Sequence, residues 1–247
     1  MGSTAWFKFA SPAAFYPLAG RLIPWFAWAA GLLTLIGLYL GFIVAPTDYQ
    51  QGESYRIIFI HVPAAWMAMF LYLVMAGWCA ASLIWNTRLS AMMAQALAPT
   101  GAMFSVVALW TGALWGRPTW GAYWVWDARL TSTLILLFLY LGFMALRAAI
   151  DDPRRADRAS ALLALVGAIN VPIIYFSVRW WNTLHQGASV SLTSSPKMAQ
   201  TMLAAMLVMS FAAWFYAIAV ALHRARSIII ERENGSDWLR RQLAGTN

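Results

Sequence analysis

The chain has 247 residues, 62% of them hydrophobic and only 11% charged, where a soluble domain carries roughly a quarter charged residues. That balance excludes water as the main solvent of the fold. A formal net charge of +8 would point to nucleic acid in a soluble protein, but in so apolar a chain its distribution belongs to membrane orientation.

In chain order, residues 1–20 carry Pro12 and Pro17 and no compact apolar core ahead of Arg21. A cleavable signal peptide is therefore not expected, and the first helix is expected to stay attached. Charge-free stretches follow at 22–47, 57–87, 89–116, 130–146, 159–178 and 198–222. Each is close to or longer than the roughly 17 to 25 residues that cross a bilayer as a helix. The prediction is an all-α integral membrane protein, a single domain over 1–247 with six transmembrane helices. Backbone amides in hydrocarbon must bond within their own segment, and the alternation of a spanning barrel is absent.

Details along the way sharpen the spans. The second stretch holds His61-Val62-Pro63 near its start. Proline suits the first helical turn, where its missing N–H has no partner anyway, so the helix is expected to begin near Pro63 and to leave His61 at the membrane surface. Cys79 is the single cysteine and lies in an apolar span, which excludes a disulfide framework, a thiolate metal cluster and a Cys-x-x-Cys-His attachment site. The stretch 130–146 covers about 25 Å at 1.5 Å per residue and suffices if Arg147 snorkels toward the headgroups. Asp151-Asp152-Pro153-Arg154-Arg155 reads as a solvated turn that fixes topology, or as a dock for a cytoplasmic subunit. The tail 224–247 can form an amphipathic helix on anionic lipid. There is no Gly-rich phosphate loop with its lysine, so nucleotide hydrolysis is not expected of this chain.

Six spans divide the cations unevenly. Lys8, Arg21, Arg88, Arg147, Arg154, Arg155, Arg158, Arg224, Arg226, Arg232, Arg240 and Arg241 fall on one side; Arg56, Arg117, Arg129, Arg179 and Lys197 fall on the other. The richer side is cytoplasmic by the positive-inside rule, which predicts both termini inside. Three connections, 46–62, 115–130 and 179–197, then emerge on the outer face. They carry His61 and His185, two of the three histidines, and the tryptophan-rich segment 115–131. His223 falls at the cytoplasmic end of the last helix, where an interfacial role suffices.

Trp115, Trp120, Trp124 and Trp126 crowd beside Gly116, Gly121 and Asp127. Two readings stand. One is an interfacial aromatic belt; the other is a flat apolar platform for a planar aromatic ligand, with glycines allowing close approach. His61 and His185 either hydrogen-bond at the interface or, as neutral imidazoles on separate connections, ligate a haem iron from its two sides. Zinc is a weaker alternative, since Asp127 and two histidines lack the spacing of a dedicated site. Arg56 and Arg129, with Arg117, face outward against the orientation rule. They serve as interfacial anchors, as a salt bridge in the case of Arg129 with Asp127, or as two-pronged partners of propionates.

The run Trp120-Gly121-Ala122-Tyr123-Trp124-Val125-Trp126-Asp127-Ala128-Arg129-Leu130-Thr131 resembles the WWD signature of bacterial haem-handling proteins, and within that group the cytochrome c maturation protein C (haem exporter protein C) family. Asp48-Tyr49-Gln50-Gln51-Gly52 with Tyr55-Arg56, His61-Val62-Pro63-Ala64-Ala65, and Trp180-Trp181-Asn182-Thr183-Leu184-His185-Gln186-Gly187 add to the resemblance. Tyr123 stands where many relatives have tryptophan. The resemblance implies a non-catalytic subunit of the bacterial inner membrane. It would hold haem b without covalent attachment at the periplasmic face, for a membrane-anchored periplasmic haem chaperone serving c-type cytochrome biogenesis. It further implies an ATP-hydrolysing subunit, a second membrane subunit and a small single-span protein as partners, in an ABC-type complex. Carried onto this chain, His61 and His185 become the axial ligands, and Trp115, Trp120, Trp124, Trp126 and Asp127 the platform. Two rivals remain: an electron-transferring membrane cytochrome, which usually buries its histidines in facing helices, and a haem-conducting channel, which would need polar residues along its spans.

Overall fold

The computed structural model describes residues 10–181, 183–185 and 198–244. Lys8, Asn182, Gln186, Gly187 and Lys197, together with most of the third outer connection, lie outside the described residues. Among the described residues the chain is helical without β-strands, and six helical segments are long and apolar enough to cross a membrane.

Helix α1 (Pro12–Tyr39) starts well ahead of the charge-free stretch, because Ser11 caps it by accepting from the Ala14 amide at 3.3 Å and satisfies one of the orphan N–H groups of the first turn. It ends in a π-helical turn, Leu40–Val44. It lies antiparallel to α7 (Gln200–Arg232). Gly37 accommodates Met209 and Gly20 accommodates the Arg226 guanidinium, which sits 4.3 Å over the Tyr16 ring. Trp25 and Trp28 on its outer face are 77% and 80% exposed, as suits a surface solvated by lipid rather than water.

Helix α2 (Ile58–Trp85) corrects the expectation that it begins near Pro63. A 3-10 turn, Glu53–Ile57, leads directly into it. That turn is tied down by Arg56, which pairs with Glu53 and donates to the carbonyls of Gly41 at 2.7 Å and Ala45 at 3.0 Å. Pro63 thus sits inside the helix, where it forgoes only its own i−4 bond. In consequence His61 lies on the helix itself and is packed against its neighbours, 8% exposed.

Helix α3 (Arg88–Trp120) continues past the charge-free stretch, so Trp115 belongs to a helix rather than to a connection. Gly121 stops it at φ +80°, with its amide on the Arg117 carbonyl at 3.1 Å, a left-handed cap that glycine adopts without penalty. Helix α4 (Ala128–Ala148) is capped by Asp127, whose carboxylate accepts from the Leu130 amide at 2.8 Å. The stretch expected as one helix over 159–178 is two, α5 (Pro153–Gly167) and α6 (Asn170–Trp180). Pro172 has no N–H to bond back to Ala168, and Asn170 fastens the break to α4 by donating to the Ser132 carbonyl at 2.8 Å.

The tail is not a single amphipathic helix. Its first part prolongs α7 to Arg232; after a turn at Gly235 (φ +92°) comes the short α8 (Asp237–Ala244), whose Trp238 packs on Tyr16. At this end of the bundle Arg147 and Arg232 both pair with Asp157, and Arg88 pairs with Glu233. The middle is filled by Tyr72, Met75, Leu136, Tyr140 and Phe143, with the Tyr140 hydroxyl donating to the Ala68 carbonyl at 2.8 Å. At the opposite end the start of α2, the end of α3, the start of α4 and Ile174 of α6 surround a cleft.

Candidate functional site

Helical periodicity builds the walls of the cleft. His61, Ala65, Ala68 and Met69 are one face of α2, and Ala108, Gly112, Trp115, Gly116 and Trp120 one face of α3, each at i, i+3 or i+4 spacing. Arg129, Thr133 and Leu136 come from α4, Ile174 from α6, and Trp124 and His185 from the segments between helices. The free volume inside the cleft is about 70 Å³, well below the roughly 300–1,000 Å³ of small-molecule sites, so the side chains around it must part to seat a large planar ligand. The wall is mostly apolar, with two imidazoles and one guanidinium.

The two histidines, 124 positions apart in sequence, have ring centroids 6.3 Å apart and planes inclined by 34°. Two imidazoles that share one ion, each bonded at about 2 Å, have ring centres roughly 6 Å apart. Each histidine is flanked by an indole, His61 by Trp115 (5.6 Å) and His185 by Trp120 (6.2 Å). The His61 Nδ1 lies 3.0 Å from the Thr111 hydroxyl oxygen. The backbone amide of His185 donates to Thr183 Oγ1 at 3.1 Å, and Thr183 in turn donates to the Asp127 carboxylate. One carboxylate oxygen of Asp127 therefore caps α4 while the other holds the segment bearing His185.

The first connection supports the wall from behind. Asp48 accepts from the amides of Gln50 and Gln51 at 3.0 and 2.8 Å, an Asx turn that delivers the Gln51 amide oxygen to the Trp115 indole N–H at 2.7 Å. Tyr55 packs edge-on against the same indole. Trp115 is fixed on two sides before any ligand is considered.

The residues singled out from sequence divide into two sets. His61, His185, Trp115, Trp120, Trp124 and Arg129 line the cleft; Arg56, Trp126 and Asp127 do not. Trp126 is 78% exposed and meets Trp124 edge to face at 5.4 Å. Arg56 is bound to Glu53 and two backbone carbonyls, as described above. Among the described residues Arg129 makes no ion pair with Asp127; it reaches the Ile174 carbonyl at 3.4 Å. Arg117 donates to the Gly121 carbonyl and lies 5.7 Å over the Tyr123 ring, a cation–π contact. Phe176 and Trp180 stack at 5.1 Å, and Trp180 meets Trp181 edge-on at 5.8 Å.

Close approach falls at a glycine that sequence reasoning passed over. A Cβ on Gly112 would lie 3.0 Å from His61 Cε1, whereas one on Gly116 would meet the Ala122 carbonyl at 2.9 Å and the Trp120 ring. Gly116 lets the chain fold back over α3; Gly112 leaves room for the imidazole. Thr111 and Thr183 were also missed. A signal for the first existed in Thr111-Gly112 preceding Trp115-Gly116 by one helical turn, which places a hydroxyl and two bare backbone positions on one face.

A planar, anionic, metal-bearing ligand fits this donor set. The imidazoles suit an iron between them, the indoles suit its apolar faces, and Arg129 suits a carboxylate. Among the described residues Trp124 Nε1 is a buried donor without a hydrogen-bond partner, which an acceptor on a ligand would satisfy. Among the described residues no three His, Cys, Asp or Glu side chains gather as a metal cluster.

Comparison with known proteins gives a consistent result. The family model described as heme exporter protein C matches residues 5–240. Heme exporter protein C of Bradyrhizobium diazoefficiens is 52% identical over 225 residues, covering 90% of this chain and 84% of the relative. The Escherichia coli K12 protein of the same name is 50% identical over 182 residues, 74% of each chain. That of Haemophilus influenzae is 40% identical over 232 residues, 94% of each.

Proposed function

The chain belongs to the heme exporter protein C family, and from that premise we propose that it holds haem b non-covalently between His61 and His185 and presents it at the periplasmic face. The recipient is a membrane-anchored periplasmic haem chaperone that serves c-type cytochrome assembly. Membership makes the chain a multi-pass membrane subunit that handles haem in cytochrome c maturation rather than an enzyme. In this reading the ATP-hydrolysing subunit, a second membrane subunit and a small single-span protein complete the assembly in the bacterial inner membrane.

One observation carries the proposal: two imidazoles from distant segments meet at 6.3 Å, each beside an indole, in the same cleft as Arg129. When bound, haem supplies an iron that takes neutral imidazole nitrogen on both sides and propionates that take guanidinium donors. The protein's own part is to hold the two rings, to cover the porphyrin with Trp115, Trp120 and Trp124, and to leave an edge accessible. His61 lies within the first turn of α2, near one end of the bundle, so the pair forms a site near a membrane boundary. Because Cys79 is the single cysteine and is buried, this chain makes no thioether to its cargo, and release requires only that ligand and packing contacts break.

Handover is the test. Haem-loaded protein in detergent is mixed with the chaperone's soluble domain, and haem in each is followed optically after separation. Transfer from the wild type that is lost with His61→Ala/His185→Ala supports the proposal. Retention of all haem by the wild type in the presence of the chaperone contradicts it.

A further inference from the structure

Thr111 has no place in the resemblance that identified the cleft, yet its hydroxyl determines what one ligand can do. It sits in the interior of α3, 8% exposed. Its Oγ1 lies 2.6 Å from the Val107 carbonyl of the preceding turn and 3.0 Å from His61 Nδ1. A threonine inside a helix commonly donates back to the i−4 carbonyl, which alone would make it a bland, locally satisfied side chain. The contact with His61 changes that.

Proton accounting decides the order of donors. A carbonyl oxygen only accepts, and the hydroxyl has a single proton. With that proton on the Val107 carbonyl, Oγ1 can offer Nδ1 only a lone pair. The proton between Thr111 and His61 therefore belongs to the imidazole, and the chain runs from Nδ1–H to Oγ1 and from Oγ1–H to the Val107 carbonyl. In a neutral ring the other nitrogen, Nε2, is then unprotonated. We propose that Thr111 is a positioning residue that fixes His61 as the Nδ1–H tautomer, so that Nε2 is the nitrogen available to a metal.

The inference rests on the reading of His61 as a haem ligand and deepens it. Metal-binding histidines usually donate their second N–H to a fixed acceptor, which sets tautomer and ring orientation together. Gly112 adjoins the ring from the same helix: a Cβ there would come within 3.0 Å of Cε1, 3.5 Å of Nδ1 and 3.9 Å of Nε2. The segment Thr111-Gly112 thus provides an acceptor and the clearance the ring needs. Valine at 111 keeps the shape of the side chain and removes the acceptor; serine keeps the acceptor and removes the methyl.

The test uses the full chain in detergent with 15N-histidine. There are three histidines, so His61→Ala assigns the resonances of His61 by their disappearance. In the haem-free wild type, Nδ1 of His61 is expected to be protonated and Nε2 to resonate as an unprotonated nitrogen. Thr111→Val is expected to lose that pattern and to bind haem about tenfold or more weakly, the lower end of what losing a hydrogen-bond partner of a ligating imidazole costs in metal affinity. Thr111→Ser restores both. An Nε2–H ring in the wild type, an unchanged pattern in Thr111→Val, or a changed pattern with unchanged haem affinity overturns the proposal. If instead His61→Ala binds haem as the wild type does, the ligand reading fails, and the tautomer measurement in haem-free protein still reports on Thr111 separately.

Discussion

Substituting Gly112 by alanine is expected to weaken haem binding while leaving the fold standing. Carbon atoms attract best at about 3.5–4.0 Å, so a Cβ placed 3.0 Å from His61 Cε1 pushes the ring back by a few tenths of an ångström. Crowding of this kind costs about 1–3 kcal/mol in a packed interior. Alanine's better helix propensity offsets about 1 kcal/mol of it, and the remainder falls on the position of the imidazole, whose 3.0 Å contact with Thr111 must lengthen. A displacement cost of about 1.4 kcal/mol corresponds to a tenfold change in dissociation constant. Gly112→Ala should therefore titrate with haem about tenfold more weakly than wild type, with a thermal midpoint little changed. Gly77→Ala serves as control, since nothing lies within 4 Å of a Cβ there. Wild-type affinity in Gly112→Ala would refute the claim that this glycine exists to seat His61.

Arg129 and Arg56 should separate in their effects. Arg129→Ala is expected to lower haem affinity several-fold in a titration, whereas Arg56→Ala should lower the thermal midpoint instead, since it removes charged donors from the Gly41 and Ala45 carbonyls, worth about 1.5–3 kcal/mol each. Asp127→Asn keeps an oxygen for the Leu130 amide but loses an acceptor for Thr183; amide exchange over 183–185 should quicken while the start of α4 stays protected. Gly101→Ala would set a Cβ 2.1 Å from the Tyr140 ring at the centre of the core, so folded protein should be nearly absent after purification, with a loss at or above the roughly 3 kcal/mol typical of severe overpacking.

Much of the fold was legible because hydrocarbon imposes one rule: charge-free length becomes helix. That rule found six spans and misjudged their ends, since helices run on wherever caps and side-chain ties allow. Ser11 extends α1 backward, Arg56 anchors the turn that starts α2 before Pro63, and Gly121 alone stops α3. The break at Ala168 was readable in Pro172, which the apolar count ignored. At the site, residue chemistry and the resemblance pointed to His61, His185, Trp115, Trp120, Trp124 and Arg129, which all reach one cleft, and to Trp126, which does not. What the sequence did not disclose was who holds them. Asp127 reaches Thr183, Gln51 reaches Trp115 across 64 positions, and Thr111 reaches His61 across 50. Long-range pairs of this kind leave no periodic trace, so Asp127 read as part of a platform and Arg56 as a propionate partner, where the geometry gives both of them backbone to hold.

Ligation of one iron by His61 and His185 can be read from optical and pyridine-haemochrome spectra of the detergent-purified chain, as wild type and with His61→Ala, His185→Ala or both. A low-spin b-type haem is expected in the wild type, a loss of low-spin character in each single variant, and little or no haem retained in the double variant. A double variant that keeps the wild-type low-spin bands would contradict that ligation.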